Sequence, residues 1–160
     1  MIEPKFVAVL YGWTYDTLKK QTDGLTHEDS LLQLPFRANC LNWVLGHILW
    51  SRNRILPLLG EAPIWSAEVA ARYANGSDPV TPEHMIGVVR FEQMLADLDT
   101  LQQRTLAGLE RMTAADFERP SDVEAYTLGQ RLLTLLRHEA YHTGQTEQLR
   151  ELAGKNDKVL

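Results

Sequence analysis

Four long segments of the sequence repeat their apolar residues at the spacing of an α-helix, and no pair of segments shows the alternation of β-strands. The segments are 4–23, 40–59, 81–112 and 127–153. Each amphipathic helix needs a partner for its apolar face, and four such helices in 160 residues are typical of a helical bundle. The sequence therefore predicts an all-α protein with one four-helix-bundle domain over residues 1–160.

Capping residues mark the ends of the predicted helices. Thr81 is a predicted N-cap, and Pro82 and Glu83 follow it, a combination that favours the start of the third helix. Thr127 and Gln130 have capping-box spacing at the start of the fourth helix. The second and fourth helices are each followed by a glycine, the residue that most often ends a helix.

The connection between the second and third helices is long. Pro63, Gly76 and Pro79 interrupt residues 61–80, so we expect an irregular segment there with room for a short helix over 65–73. A connection of this length predicts a crossover in the bundle rather than a simple up-and-down order. A single helical turn is expected at 26–29, with Thr26 as its cap.

Charge and composition exclude several classes of protein. The chain has 16 Lys and Arg against 21 Asp and Glu, so its net charge of -5 gives no support to binding of nucleic acid phosphates. No stretch approaches the roughly 20 apolar residues that a membrane-spanning helix needs, and the N-terminus does not resemble a signal peptide. Cys40 is the only cysteine, which excludes an internal disulfide and fits a reducing compartment. We expect a cytoplasmic protein that binds neither nucleic acid nor membrane.

Two of the five histidines, His138 and His142, lie four positions apart on the predicted fourth helix. This spacing places both imidazoles on one face, one turn apart, where they can bind the same cation. An isolated pair of this kind is more often structural, but here a polar stripe surrounds it. The stripe consists of Arg131, Thr134, His138, His142 and Gln145. Polar residues where a bundle helix should bury apolar side chains indicate a cavity with a function.

A third histidine, His47, lies on the apolar face of the second helix between Trp43 and Trp50. Alone it would be interpreted as a core histidine with a hydrogen-bond partner, but a metal shared with the fourth helix would also satisfy a buried imidazole. We therefore predict one divalent ion bound by His47, His138 and His142. Three imidazoles favour Zn, Ni, Cu or Fe over Ca or Mg, and three protein ligands leave positions open for water or a substrate atom.

Two segments of the sequence resemble the DinB/YfiT-like superfamily. They are Asn-Trp-Val-Leu-Gly-His-Ile-Leu-Trp at 42–50 and His-Glu-Ala-Tyr-His-Thr-Gly-Gln at 138–145. The resemblance implies a four-helix bundle with a crossover, often a homodimer, that binds Ni or Zn through His47, His138 and His142. It also implies a small-molecule substrate, since characterised members include transferases and isomerases that use bacillithiol, mycothiol or glutathione. Other members are inferred hydrolases. All three ligand positions are present in this sequence, so the resemblance implies metal binding more directly than it implies any one reaction.

The function expected from these residues is that of a metal-dependent enzyme that activates a low-molecular-weight thiol, or water, for attack on a small electrophile. Three alternatives remain open: a metal-dependent hydrolase, a non-catalytic metal-binding protein related to stress, and a metalloprotease suggested by the HExxH string at 138–142. In the metalloprotease Glu139 would be the general base. Glu139 lies about 100° around the helix from His138, so a solvated surface charge is the simpler interpretation.

Six other side chains are candidates for contact with a substrate or with the metal ligands. They are Trp43, Trp50, Arg54, Arg131, Tyr141 and Gln145. The aromatic residues can line a pocket or simply pack in the core. Arg54 lies on the same face as the histidine of the second helix and can hold a substrate carboxylate or pair with an acidic neighbour. Arg131 and Gln145 can support the ligands. The remaining histidines, His27 and His84, are expected to be exposed.

Overall fold

The computed structural model describes residues 2–157 and is all-helical over that range. Its helices are α1 (Pro4–Thr22), α2 (His27–Ser30), α3 (Leu41–Leu58), α4 (Ala67–Ala71), α5 (Phe91–Glu110), α6 (Ala114–Phe117) and α7 (Leu128–Leu152). In this part of the chain the only strand-like pairing is an isolated bridge between Pro120 and Thr127. None of the helices in residues 2–157 is long and apolar enough to cross a membrane. The predicted all-α class is confirmed.

The long helices α1, α3, α5 and α7 form a bundle whose directions follow from its two core clusters. In one cluster, Tyr11 near the start of α1 and Leu132 near the start of α7 pack with Ile55 and Leu109 near the ends of α3 and α5. In the other cluster, the ends of α1 and α7 pack with the beginnings of α3 and α5. Thus α1 and α7 run in one direction, and α3 and α5 run in the opposite direction.

The connection over 59–90 is the predicted crossover. The helices α3 and α5 are neighbours that run in the same direction, so the chain between them has to return along the bundle. It contains α4, which lies within the segment where a short helix is expected. In cross-section α7 packs against both α1 and α3, and on the outer side of the bundle the contact between α3 and α7 forms a groove lined by residues of both helices. The three histidines lie in this groove.

The third long helix begins at Phe91, so the predicted start at Thr81 is wrong. Gly87 interrupts the segment with a φ of +74°, a left-handed conformation that does not continue a right-handed helix. Ile86, which the periodicity places on the buried face, is 95% exposed. The apolar repeat before Phe91 is therefore not a helical face.

Tertiary hydrogen bonds compete with helix formation in residues 81–90. The backbone N–H of Val89 donates to the hydroxyl of Tyr73, and the carbonyl of His84 accepts from the guanidinium of Arg72. These backbone groups would otherwise be available to a helix. The N-cap signal at 81–83 is therefore not sufficient to start a helix, because these contacts within the crossover connection determine the backbone conformation.

The expectation that His27 is exposed is also wrong. Its side chain is buried, and its Nδ1 accepts a hydrogen bond from the backbone N–H of Phe91 at 3.2 Å. Arg90, the N-cap residue of α5, makes no side-chain capping bond. His27 therefore satisfies one of the free N–H groups at the start of α5, a role that brings two distant segments together.

The other predicted helix ends agree with the structure. Thr127 and Gln130 form a capping box at the start of α7, and Thr26 forms one with Asp29 at the start of α2. Gly60 and Gly154 have positive φ just beyond α3 and α7, as helix-ending glycines do. Local sequence signals are sufficient at these positions because no tertiary contact opposes them.

Candidate metal site

Three imidazoles meet in the groove between α3 and α7. Helix α3 supplies His47, and α7 supplies His138 and His142. Their ring centroids form a nearly equilateral triangle, with separations of 4.9, 4.8 and 4.6 Å. One ring nitrogen of each lies within 4.8 Å of the others, so the group can hold one metal ion. His47 is buried and the other two are half-buried, which leaves one side of the group open to solvent.

Hydrogen bonds determine which nitrogen is free in two of these rings. The Nδ1 of His47 lies 2.7 Å from the carbonyl oxygen of Tyr73, and the Nδ1 of His142 lies 2.7 Å from Oε1 of Gln145. Because both oxygens are acceptors, both Nδ1 atoms carry the proton. The two Nε2 atoms keep lone pairs that are available to a metal ion. An imidazole that donates to an oxygen on one side and is free on the other is typical of a metal ligand.

His138 completes the group and shows that these residues fit a metal ion. Its Nε2 lies 3.0 Å from the unprotonated Nε2 of His47, a distance that requires a proton or a cation between the two nitrogens. Its Nδ1 is buried and has no hydrogen-bond partner within residues 2–157, which is rare for a buried nitrogen. Burial lowers the pKa of all three histidines, that of His138 to about 4. The imidazoles are therefore neutral at pH 7 and can act as ligands.

Four side chains of α3 form a stacked column through the site. Trp43 stacks on His47 with centroids 4.7 Å apart and planes 12° apart, and Trp50 stacks on His47 at 5.0 Å and 20°. The guanidinium of Arg54 lies 4.6 Å from the centroid of the Trp50 ring. Spacings of four, three and four residues keep the column on one helix face. Trp43 and Trp50 thus lie beside His47 and Arg54 lies one ring further along the column, while a role of these residues in substrate binding stays a prediction.

The segment 73–77 holds the column in place, and sequence reasoning missed it. The carbonyl of Tyr73 accepts the His47 proton, and the hydroxyl of Ser77 accepts the indole N–H of Trp43 at 3.0 Å. The one local signal is Gly46, since a Cβ at this position would overlap the ring of Tyr73. A glycine inside a helix marks a close approach here.

Replacing Gly46 with Ala is expected to destabilise the protein by about 1–3 kcal/mol, because the new methyl group overlaps the buried Tyr73 ring. The ring has to move, and with it the carbonyl that orients His47, so metal affinity is expected to fall as well. Urea denaturation measures the first effect and metal titration the second. Gly12→Ala is the matched control, because nothing lies within 4 Å of a Cβ there, and we expect it to stabilise by about 0.5–1 kcal/mol. Equal stability of the two variants would contradict this packing.

Glu139 does not join the histidines. The step of one residue from His138 rotates its side chain by about 100°, which directs it from the groove into the bundle interior. Its carboxylate is fully buried and pairs with Arg52 through two contacts of 2.9 and 2.7 Å. The hydroxyl of Thr14 donates to the same carboxylate at 2.5 Å. The interpretation of Glu139 as a solvated charge is therefore wrong, and its bound carboxylate gives no support to a general-base role.

The remaining candidates lie at different distances from the ligands. Gln145 is in contact with His142, as expected for a supporting residue. Tyr141 is 65% exposed, with its ring 5.0 Å from that of His142, so it lies at the open side of the group rather than in the core. Arg131 instead forms an ion pair with Asp122 at 2.9 Å.

The chain matches known proteins at the level of family and fold. A family model described as the DinB superfamily matches residues 10–146, a range that contains all three histidines. The chain belongs to the DinB superfamily. A crystal structure of a conserved protein from Enterococcus faecalis matches it with a TM-score of 0.72, at 16% identity, over 96% of this chain and 98% of that one. At this identity the likeness shows the fold alone. No curated protein matches the chain.

Membership of the DinB superfamily confirms the resemblance inferred from residues 42–50 and 138–145. In this superfamily protein the three-histidine group can hold a metal ion. The identity of the metal, the homodimer, the cytoplasmic location and the use of a thiol stay predictions.

Proposed function

We propose that this DinB-superfamily protein is a metal-dependent enzyme of the thiol S-transferase type that acts on a small electrophile. The observation that carries the proposal is the convergence of three neutral imidazoles, two of them oriented by hydrogen bonds on their outer nitrogens. Structural zinc sites use four protein ligands, whereas three leave a position for a reacting molecule. Zn or Ni is the proposed ion, because both suit imidazole nitrogen.

A divalent ion in this group would supply a Lewis acid that lowers the pKa of a thiol or of water. The chain's own residues set the geometry: Tyr73 and Gln145 fix the orientation of His47 and His142. Trp43 and Trp50 cover the two faces of the His47 ring and exclude water from it. In the transfer, the thiol sulfur forms a bond to an electrophilic carbon. The leaving group departs with the electron pair of the broken bond, and the thiol proton passes to solvent.

An open cavity of about 510 Å³ adjoins the column and supports a small-molecule substrate. Its walls include Phe36, Arg37, Asn39, Trp43 and Ser77. Small-molecule sites commonly have volumes of roughly 300–1,000 Å³. Trp43 lines this cavity and stacks on His47, whereas none of the three histidines lines it, so the indole ring separates a molecule bound there from the candidate ligands. The described residues offer no sheet edge to align a peptide, which counts against the metalloprotease.

A panel assay tests the proposal. Protein loaded with Zn or Ni is mixed with 1-chloro-2,4-dinitrobenzene and, in turn, with glutathione, bacillithiol or mycothiol, and the S-aryl product is measured by absorbance. We expect product above the uncatalysed rate with at least one thiol, and loss of that excess in His142→Ala, because this variant removes a ligand. Consumption of the electrophile without any thiol would instead indicate the hydrolase. No acceleration by metal-loaded protein with any thiol would contradict the proposal and favour a non-catalytic metal-binding protein.

A further inference from the structure

The stacked column ends in an arginine without a counter-charge. Arg54 is exposed, and its guanidinium packs on the Trp50 ring at 4.6 Å. Within residues 2–157 it forms no ion pair. By contrast, three of the four other arginines of α3 and α7 each bind a carboxylate, namely Arg52, Arg131 and Arg150, and the fourth, Arg137, is exposed. Among the residues that the structure describes, Arg54 is thus a positioned cation whose N–H groups make no hydrogen bond.

The charges around Arg54 do not neutralise it. Two groups from the start of α7 and the loop before it act on Arg54, the cation of Arg131 and the carboxylate of Asp122. Asp122 is already bound by Arg131 through two contacts of 2.9 and 3.3 Å. What remains at this edge of the groove is a net positive charge next to three neutral imidazoles.

One aromatic ring separates Arg54 from the histidine group. The guanidinium lies 4.6 Å from the centroid of the Trp50 ring, and that ring stacks on His47 with centroids 5.0 Å apart. The two residues His47 and Arg54 are seven positions apart on α3, or roughly 10 Å along the helix axis. A molecule of several bonds in length can therefore reach both the candidate metal ligands and the guanidinium.

We propose that Arg54 binds the carboxylate of the small molecule whose other end reacts at the three histidines, so that the natural substrate or thiol is a carboxylate anion. This inference rests on the proposed function, because it places the reacting end of the same molecule at that site. The planar guanidinium matches a carboxylate with two parallel hydrogen bonds. Stacking on Trp50 orients its plane before the ligand arrives, and this reduces the entropy lost on binding.

Two thiols that differ only at the far end test this inference. The full-length protein is loaded with Co²⁺ and titrated with 6-mercaptohexanoate and with 6-mercaptohexanol, and thiolate-to-cobalt charge-transfer absorption gives each Kd. We expect the carboxylate to bind about tenfold more tightly, the effect of one charge-assisted pair at an exposed position. In Arg54→Gln the two dissociation constants should become nearly equal, with the affinity for the alcohol unchanged. Arg54→Lys should keep part of the preference, because it retains the charge but not the planar fork.

Arg90→Gln is the matched control, since it removes one exposed positive charge at the N-cap of α5 rather than from the column. It should keep the tenfold preference. Equal affinity of the two thiols for the unmodified protein, or a preference that survives in Arg54→Gln, would overturn the inference while leaving the proposed function intact. No absorption change with either thiol, in protein shown to contain cobalt, would overturn the thiol chemistry and the inference together. Loss of cobalt from Arg54→Gln would reveal a structural role and also contradict the inference.

Discussion

Replacing His142 with Ala is expected to lower the affinity for Zn²⁺ or Ni²⁺ by more than about 100-fold. Loss of a group that merely orients a ligand already costs roughly 10–100-fold, and loss of the ligand itself should cost more. The same result is expected for His47→Ala and His138→Ala, because the three imidazoles form one triangle around a common point. Competition with a chromophoric chelator measures the dissociation constants, and circular dichroism shows whether each variant is folded.

Two further variants separate the ligands from their surroundings. Gln145→Ala removes the oxygen that orients His142, so we expect an intermediate loss of about 10–100-fold. His84→Ala removes an exposed histidine from the segment before α5 and should leave metal affinity unchanged. If all three ligand variants retained the metal content of the unmodified protein, the candidate site would be ruled out.

The histidine group is predictable because its geometry is local. Two ligands, His138 and His142, are related by one helical turn, and the third lies on the apolar face of another predicted helix. The groups that orient them are not predictable in this way. The partner of His47 is the backbone carbonyl of Tyr73, in the crossover connection, and every residue has such a carbonyl. Only the three-dimensional path of that connection determines which carbonyl faces the imidazole.

The position of Glu139 shows a second limit of sequence reasoning. Its angular offset from His138 follows directly from helical geometry. Whether that direction leads to solvent or to the interior depends on which helices flank α7, and periodicity does not give the order of helices in a bundle. Because α7 contacts both α1 and α3, the direction leads inward. For the same reason Arg52 gives no sign of its burial in the sequence, although its side chain is fully enclosed.

Each long helix contributes to a polar network at the centre of the bundle. Its members are Thr14 of α1, Arg52 of α3, Gln102 of α5 and Glu139 of α7. Arg52 donates to both oxygens of Glu139, to Oε1 of Gln102 at 2.5 Å and to the carbonyl of Tyr11 at 3.2 Å. The side chains of the ion pair are only 0% and 1% exposed. The network therefore fixes how α7 is rotated, and with it the direction in which His138 and His142 face.

Glu139→Ala is expected to destabilise the protein by about 3–5 kcal/mol, because it leaves the guanidinium of Arg52 buried without a counter-charge. The amide of Gln102 can accept a hydrogen bond but cannot neutralise the cation. A loss of this size is a large part of the roughly 5–15 kcal/mol that stabilises a typical domain. Urea denaturation of the metal-free protein gives the free energy of unfolding. A change below about 1 kcal/mol would contradict the burial of the pair.

The double variant Arg52→Met, Glu139→Leu separates charge from packing. It removes both charges and keeps most of the apolar volume, so its free energy of unfolding is expected within about 1 kcal/mol of the unmodified protein, or above it. A double variant as unstable as Glu139→Ala would mean that the hydrogen bonds of the network contribute more stability than the burial of two charges costs. The same series distinguishes a general-base role of Glu139 from a structural one. If Glu139 were a general base, Glu139→Ala would lose activity at unchanged stability, whereas the buried ion pair predicts that this variant loses stability.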